Sequence, residues 1–542
     1  MTETPRLSTP EFFRPSLEYP RIPYDRMLTH AASRWPENVA VVCGDVSLTY
    51  RELEALANRF AHALARLGVK RGERVCLFMT NCPEYIIAFY AIARIGGVVS
   101  PMNPSYRERE VEYQLDDSEA VAAVVQTELL SIVEAVRGRL KHLRHVIPVG
   151  AGAPSGSGLR SFPALIAPEP TTAPAAVDVG WDDIVALPYS SGTTGFPKGV
   201  LLSHKNLVCN NIQMVAGGRF RETDRLMIFL PFYHIYGAML MGASVYAGAT
   251  AVLMERFEPS ECMRLIRKHQ ITLFFVVPPV LVMLTAWPAL KDHDLRTVRF
   301  TMCGAAPLAP EVGRRFTELT GVPVVQGYGL TEASPLTHLN AVYDQSLNVP
   351  ESVGLLAHDT EQKVVDVETG ERTLGPGEVG EICIRGPQVM EGYWKAPEAT
   401  AAAIRDGWLY TGDIGYVDAR GYTFIQDRKK EMIKHKGFGI APAEIEALLF
   451  EHPGVADAAV IGKPDPEAGE VPNAFIVRRP SHPRLTEAEL IAFATGRLAN
   501  YKAVREVEFV DAIPKTASGK ILRRVLKQRE LEKVRQTTKA GG

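Results

Sequence analysis

The sequence predicts an α/β protein: a large N-terminal domain of layered α/β subdomains, residues 1–426, and a small C-terminal α+β domain, residues 427–542. Three observations carry the prediction. At 542 residues the chain exceeds what one hydrophobic core serves, so two or more domains are expected. Apolar strand-like runs alternate with helical ones through the first part of the chain, the pattern of layered α/β architecture. From Asp427 the texture changes to a charge run followed by shorter strands, over about 115 residues, the size of one small domain.

Taken in order, Thr49 and Glu52 form a capping box for a helix whose Leu53, Leu56, Ala57, Phe60, Ala61, Leu64 and Leu67 recur at helical spacing until Gly68 stops it. A strand over Val75 to Met79, a helix over Pro83 to Ile95 and a strand at Val98-Val99 follow. Residues 150–180, rich in Ala, Pro, Gly and Ser, read as a surface excursion without a core of its own. Thr272 to Val277 predicts a strand, and Pro278-Pro279 and Trp287-Pro288 break the apolar stretch around it too early for a membrane span. Pro442, Glu444 and Glu446 mark the first turn of a helix, and strands are expected at Ala458 to Ile461, Ala474 to Val477 and Val507 to Val510. A basic helix from Ile521 to Arg535 closes the described pattern.

Composition narrows the function. The 60 Lys+Arg and 62 Asp+Glu nearly cancel, leaving no basic field for nucleic acid or an anionic membrane, so small molecules are the expected partners. Seven cysteines lack any Cys-x-x-Cys pair and sit mostly in apolar runs, which fits a reducing compartment and makes the cytoplasm the expected location. No transmembrane segment or secretion signal is expected, and the chain is expected to be a monomer or homodimer.

The chemistry concentrates in five stretches. Tyr189-Ser190-Ser191-Gly192-Thr193-Thr194-Gly195-Phe196-Pro197-Lys198-Gly199 brings backbone N–H groups, hydroxyls and a cation to a phosphate chain, as a loop between two strands. A flexible linker is the bland alternative. Gly304-Ala305-Ala306-Pro307 and Gly327-Tyr328-Gly329 would let a flat ring approach the backbone, with Tyr328 stacking on it and Thr331 and Glu332 supplying a hydroxyl and a carboxylate. The carboxylate suggests Mg²⁺, whereas two strand-end turns that need glycine are the structural alternative. Asp413, ending Tyr410-Thr411-Gly412-Asp413, can accept from ribose hydroxyls or merely close a turn. The run from Asp427 to Gly439 reads first as a solvated face. Pro514-Lys515-Thr516-Ala517-Ser518-Gly519-Lys520 is a second Gly/Ser/Lys loop.

Together these stretches resemble the adenylate-forming superfamily of acyl-CoA synthetases, aryl-CoA ligases, peptide-synthetase adenylation domains and firefly luciferase, over about residues 25 to 530. The nearest subgroup looks like the 4-coumarate:CoA ligases and related fatty acyl-CoA ligases, on Leu230-Pro231-Phe232-Tyr233-His234-Ile235-Tyr236-Gly237 and the Lys436 to Glu446 segment. The resemblance implies an acid:CoA ligase using ATP, Mg²⁺ and coenzyme A. Ser190 to Lys198 would cover the β- and γ-phosphates, Thr331 would touch the α-phosphate, Glu332 would hold Mg²⁺, and Asp413 and Arg428 would hold the ribose. Gly304 to Pro307 and Tyr328 would enclose adenine. His234 would stand at the mouth of an acid pocket drawn from Ile235, Tyr236, Met239, Gly304, Gly327, Gly329, Pro335 and Leu336. Lys520 would bridge carboxylate and phosphate during adenylation. Lys434, Lys436 and Gly437 would face the site only in the thioester step, after a rotation about Lys430 that makes the small domain mobile. Two departures stand out: Gly439 where relatives have Gln, and Lys429 before the hinge where Leu is more familiar, the latter expected to be neutral. The implied acid is a medium- or long-chain fatty acid or an aryl-propenoic acid. A carrier-protein-loading or luciferase-like enzyme is the alternative, and a non-catalytic nucleotide or acyl-CoA binder a third.

Overall fold

The computed structural model describes residues 15–154, 159–190, 197–435, 438–465, 468–495, 497–498, 502–516 and 519–540. Among these, the chain forms four sheets arranged as a large N-terminal α/β part and a smaller C-terminal one. A nine-stranded sheet runs in the order Leu355–Leu356, Leu336–Leu339, Val324–Gly329, Phe300–Cys303, Leu273–Val276, Arg225–Ile228, Thr250–Leu253, Val39–Cys43, Val46–Thr49. Its middle is parallel, so its strands are buried on both faces and read as continuous apolar runs. An eight-stranded sheet is built on the parallel strands Arg74–Phe78, Val98–Met102, Ala120–Gln126 and His145–Val149, and carries Lys198–Ser203 toward one edge.

The helix Tyr50–Arg66 begins as its capping box dictates: Glu52 Oε2 accepts from the Thr49 N–H at 2.8 Å, and Thr49 Oγ1 from the Glu52 N–H at 3.3 Å. Its Leu53, Ala57, Phe60, Ala61 and Leu64 are buried in the main core. Pro278 and Pro279 occupy the first turn of the helix Pro278–Ala286, where a missing N–H costs nothing, so strand passes to helix without an intervening turn.

Three expectations change. Residues 150–180 are not wholly a surface excursion. They include the helix Phe162–Ile166, whose Phe162 is buried 4.6 Å from the Phe60 ring centroid, because even a composition rich in Ala and Pro can spare one aromatic for a neighbouring core. Gly327-Tyr328-Gly329 is not a turn: it lies inside the strand Val324–Gly329, paired with Leu336–Leu339, where a Cβ on Gly329 would stand 2.1 Å from the Pro335 carbonyl oxygen. The charge run after Asp427 is only partly solvated. Asp427 is buried, and Lys429 reaches the buried Glu381 at 2.8 Å.

A five-stranded antiparallel sheet containing Gly380–Arg385, Trp408–Val417 and Thr423–Arg428 leads to the last sheet, Phe438–Ile440, Ile433–His435, Gly469–Arg478, Val455–Asp465 and Glu506–Phe509. The latter has its own core around Ile433, Ile445, Leu449, Val460 and Ile476. Asp427 joins the two: its Oδ2 accepts from the Ala443 N–H at 2.8 Å, in the first turn of the helix Pro442–Phe450. Arg523, at the start of the helix Arg523–Ala540, bonds both oxygens of the buried Glu446 at 2.8 Å and also reaches Glu431.

Candidate active site

The phosphate-loop candidate is flanked by strands, as expected. Tyr189–Ser190 pairs back on Lys198–Ser203, with Ser190 opposite Lys198, so the two stems of the hairpin stand side by side. Ser191, Gly192, Thr193, Thr194 and Gly195 lie outside the described residues. The Ser190 hydroxyl donates to Glu332 Oε1 at 3.2 Å, and the Tyr393 hydroxyl donates to the same oxygen at 3.0 Å. The Lys198 ammonium rests 5.4 Å from the centroid of the Tyr393 ring.

Glu332 begins just past the Gly-Tyr-Gly strand, in the single turn Thr331–Ala333. Both hydroxyls go to Oε1, leaving Oε2 without a protein donor among the described residues, and the Thr331 hydroxyl is likewise unengaged there. No group of three His, Cys, Asp or Glu side chains able to cage a metal occurs among the described residues. A lone outward carboxylate oxygen beside a phosphate-loop stem fits Mg²⁺ held jointly with a nucleotide, because this ion commonly takes one or two carboxylates, phosphate oxygens and water.

Asp413 and Arg428 face one another across the pair Trp408–Val417 and Thr423–Arg428, and Arg428 Nε meets Asp413 Oδ1 at 3.0 Å. The Tyr328 hydroxyl donates to Asp413 Oδ2. At 3 % exposure Asp413 is held between Arg428 and Tyr328, each oxygen keeping one lone pair for a further donor. Gly304 closes the cluster: a Cβ there would lie 3.3 Å from the Gly327 carbonyl oxygen and 3.4 Å from the Tyr236 ring. Ala305, at φ +71°, and Ala306 are half-buried beside it, with Pro307 exposed at the rim.

Lys520 comes from the C-terminal part, yet it belongs to this cluster. Thr516 closes its loop, donating its N–H to the Lys520 carbonyl at 2.8 Å and accepting the Lys520 N–H on Oγ1 at 3.1 Å. Gly519 packs on Pro279, where a Cβ would stand 2.8 Å from Pro279 Cδ. Burial and the nearby Arg428 charge pull the Lys520 ammonium below the ordinary lysine pKa, while Asp413, Glu332 and Glu431 pull it upward. His234 feels the same ammonium: burial first, then Lys520, lower its pKa to about 4. Its Nδ1 accepts the Tyr236 N–H at 3.2 Å, capping the helix Ile235–Ala247, so the neutral ring carries its proton on Nε2.

The acid-pocket candidates divide. Tyr236 lies against Gly304 and donates to the Met302 carbonyl at 3.4 Å, on the side of Gly327, Gly329, Pro335 and Leu336. Ile235 and Met239, with Tyr24, Phe89 and Phe232, line a cavity of about 10 Å³, room for one water. Lys434 is exposed on the strand Ile433–His435, and no contact among the described residues joins it to Lys520, Glu332 or Asp413. Lys436 and Gly437 lie outside the described residues, while Gly439 pairs with Lys434 across the hairpin. Sequence reasoning missed Tyr393, whose only signal was an aromatic pair, Tyr393-Trp394, directly after Glu391-Gly392.

A family model described as AMP-binding enzyme matches residues 28–394, and one described as AMP-binding enzyme C-terminal domain matches 444–520. A long-chain-fatty-acid–CoA ligase of Bacillus subtilis (strain 168) is 36% identical, covering 95% of this chain and 96% of its own length. A 4-coumarate–CoA ligase of Pinus taeda is 40% identical over 90% of each chain. Among solved structures, the anthranilate CoA ligase AuaEII in complex with anthranoyl-AMP superposes with a TM-score of 0.87 at 31% identity, covering 95% of this chain and 98% of that one.

Proposed function

The chain belongs to the AMP-binding enzyme family and is an ATP-dependent, AMP-forming acid:CoA ligase, and from that premise we propose which of its residues carry the two half-reactions and which acid it takes. The enzyme uses ATP, Mg²⁺ and coenzyme A. A carboxylate oxygen attacks the α-phosphorus of ATP, the bond to pyrophosphate breaks, and the acyl-adenylate forms. The thiol of CoA then adds at the acyl carbon and AMP leaves with the phosphate-bearing oxygen. Two anions must meet in the first step, so positioning and charge neutralisation do most of the catalysis.

The observation that carries the assignment is Lys520, electrostatically coupled to His234, Glu332, Asp413 and Arg428 at once. In our reading its ammonium bridges the substrate carboxylate and the α-phosphate. Neutral His234 borders the carboxylate and donates through Nε2. Thr331 donates its hydroxyl to the α-phosphate. Glu332 Oε2 holds Mg²⁺, which when bound supplies positive charge to the phosphate oxygens. Ser190 and Lys198, with Ser191 to Gly195, take the β- and γ-phosphates, and Lys198 neutralises the departing pyrophosphate. Asp413 and Arg428 take the ribose, and Gly304, Ala305, Ala306, Pro307 and Tyr328 surround adenine. A boundary between residues 1–426 and 427–542, with Lys430 as hinge, lets Lys434, Lys436 and Gly437 approach for the thioester step. Seven unpaired cysteines support a cytoplasmic location. No helix among the described residues is long and apolar enough to cross a membrane.

The acid we propose is a medium- or long-chain fatty acid or an aryl-propenoic acid. The Tyr236 ring, the Gly304–Gly327 approach and the apolar Leu336 support a flat or extended apolar body, and relatives named for long-chain fatty acids and for 4-coumarate support both. Acid-dependent ATP–pyrophosphate exchange across acids of graded length and aromaticity tests the reading. Exchange with fatty or aryl-propenoic acids, followed by AMP release only when CoA is added, is expected. Exchange confined to short polar acids would remove the substrate assignment, and CoA-independent AMP release the acceptor.

A further inference from the structure

The helix Glu108–Asp117 lies outside every motif named above, yet it touches both stems of the phosphate-loop hairpin. The Tyr113 hydroxyl donates to the Pro197 carbonyl at 2.9 Å, on the returning stem. Asp117 Oδ2 accepts from the Tyr189 hydroxyl at 2.6 Å, on the outgoing stem. The two tyrosines meet edge to face, with ring centroids 6.4 Å apart at 84°. The Asp117 backbone carbonyl also accepts from Trp394 Nε1 at 2.8 Å and from the Lys395 ammonium at 2.7 Å. Trp394 in turn donates its N–H to the Gly199 carbonyl at 2.8 Å. One helical turn thus grips three segments: Tyr189-Ser190, Pro197-Lys198 and Tyr393-Trp394.

Those segments carry the groups that converge on Glu332, namely the Ser190 and Tyr393 hydroxyls on its Oε1 and the Lys198 ammonium over the Tyr393 ring. Tyr113 and Asp117 stand four residues apart on one face of the helix, so a single rigid element sets the spacing of all three segments. The helix is held in its turn from below, where buried Gln114 donates to Ser100 Oγ at 3.1 Å and to the Pro101 carbonyl at 2.9 Å. Burial and the nearby Asp117 charge raise the Tyr113 hydroxyl's pKa, so it stays a donor at any working pH.

We propose that Tyr113 and Asp117 are positioning residues for nucleotide binding: through Pro197 and Tyr189 they hold Ser190, Lys198 and Glu332 at the separation that Mg²⁺ and the ATP phosphates require. Neither residue touches substrate. The inference rests on the assignment of Ser190, Lys198 and Glu332 to the phosphates and Mg²⁺. Preorganised groups lose their advantage when their support is loosened, which appears in nucleotide affinity before it appears elsewhere.

The test is ATP–pyrophosphate exchange by the full chain and by Tyr113→Phe and Asp117→Ala, with ATP and acid varied separately, alongside thioester formation from supplied acyl-adenylate and CoA. Losing one hydroxyl contact predicts a KM for ATP raised about fivefold in Tyr113→Phe and more in Asp117→Ala, with the KM for the acid moving less than about twofold. The Mg²⁺ concentration needed for half-maximal exchange rises in parallel, and the thioester step stays within about twofold of the parent. A merely structural role would lower the thermal midpoint and both half-reactions together, leaving the ATP-to-acid ratio of KM values unchanged, and that result overturns the inference. So does an unchanged KM for ATP in Tyr113→Phe while the parent exchanges normally. A parent that exchanges with no acid in the panel overturns the ligase reading itself, and the inference falls with it.

Discussion

An ammonium set among a guanidinium, three carboxylates and a neutral imidazole has no single partner of its own among the described residues, and this is the condition of Lys520. Its charge answers one that the reaction brings in. Lys520→Ala should therefore slow adenylate formation by about two decades or more, the scale of losing one preorganised charge, and spare thioester formation from supplied acyl-adenylate. Equal loss in the two half-reactions would show that Lys520 acts in both. His234 beside it carries a pKa of about 4 against the usual value near 6.5. Depressed in this way, it is neutral throughout pH 5 to 8, so no limb of the adenylation pH profile in that window should vanish in His234→Gln. Lys520, Glu332 and Asp413, which the structure brings near one another, lie in motifs that the sequence displays as short Gly/Thr/Asp, Gly/Thr/Glu and Gly/Ser/Lys patterns. Tyr393, Tyr113 and Asp117 were not legible, since they meet other protein groups across gaps of 61 to 84 residues or more that no local pattern records. Lys429 was read as neutral, but its partner Glu381 is buried, so Lys429→Leu should destabilise the fold by about 1–3 kcal/mol, readable as a lower denaturation midpoint.

At the scale of elements, the helix Pro442–Phe450 receives an N-terminal acceptor from the sheet that precedes it in the chain. Asp427 Oδ2 takes the Ala443 N–H, while Asp427 itself sits on the strand Thr423–Arg428, bonded into the preceding sheet. A side-chain cap is worth about 1 kcal/mol, and under the proposed rotation about Lys430 this one belongs to the arrangement described here. Asp427→Ala should then weaken the adenylation arrangement and slow that half-reaction about fivefold, with less effect on the thioester step. Single-turnover traces with and without CoA separate the two. If the thioester step slowed more, the cap would belong to the other arrangement. Elements with local signals were legible: the Thr49–Glu52 box and the prolines at 83 and 442 each opened a helix where expected. The strand through Gly327 to Gly329 was not, because what demands glycine there is the Pro335 carbonyl of the neighbouring strand, a tertiary contact.

For the whole molecule, buried titratable groups set the acid limit of stability. His204, His234 and His338 are each drawn down by burial to a pKa of about 4. Unfolded, each would titrate near 6.5, so their neutral burial is fully favourable above that pH and is lost as pH falls toward 4. Each opposes folding by up to about 1.4 kcal/mol per pH unit within this window. Glu446 runs the other way. Burial outweighs the Arg523 charge and raises its pKa to about 7, so its cost to the fold is complete above pH 7 and is relieved as pH falls to its unfolded value near 4.5. Near pH 7 the three unfolded histidines have bound roughly 0.7 of a proton between them and folded Glu446 about half of one, so the two effects nearly cancel. Near pH 5.5 the unfolded chain holds roughly 2.8 protons on these four groups and the folded chain roughly 1.1, so stability falls by about 2.3 kcal/mol per unit. The thermal midpoint should thus be nearly flat from about pH 8 to 7 and decline steadily from about 6.5 to 4. His338→Gln, which retains a side-chain donor for Gln362 Oε1, should make that decline shallower without moving the midpoint much at pH 7. An equally steep decline in His338→Gln would place the acid sensitivity in other groups, and a midpoint that rose on acidification would mean Glu446 outweighs the three histidines.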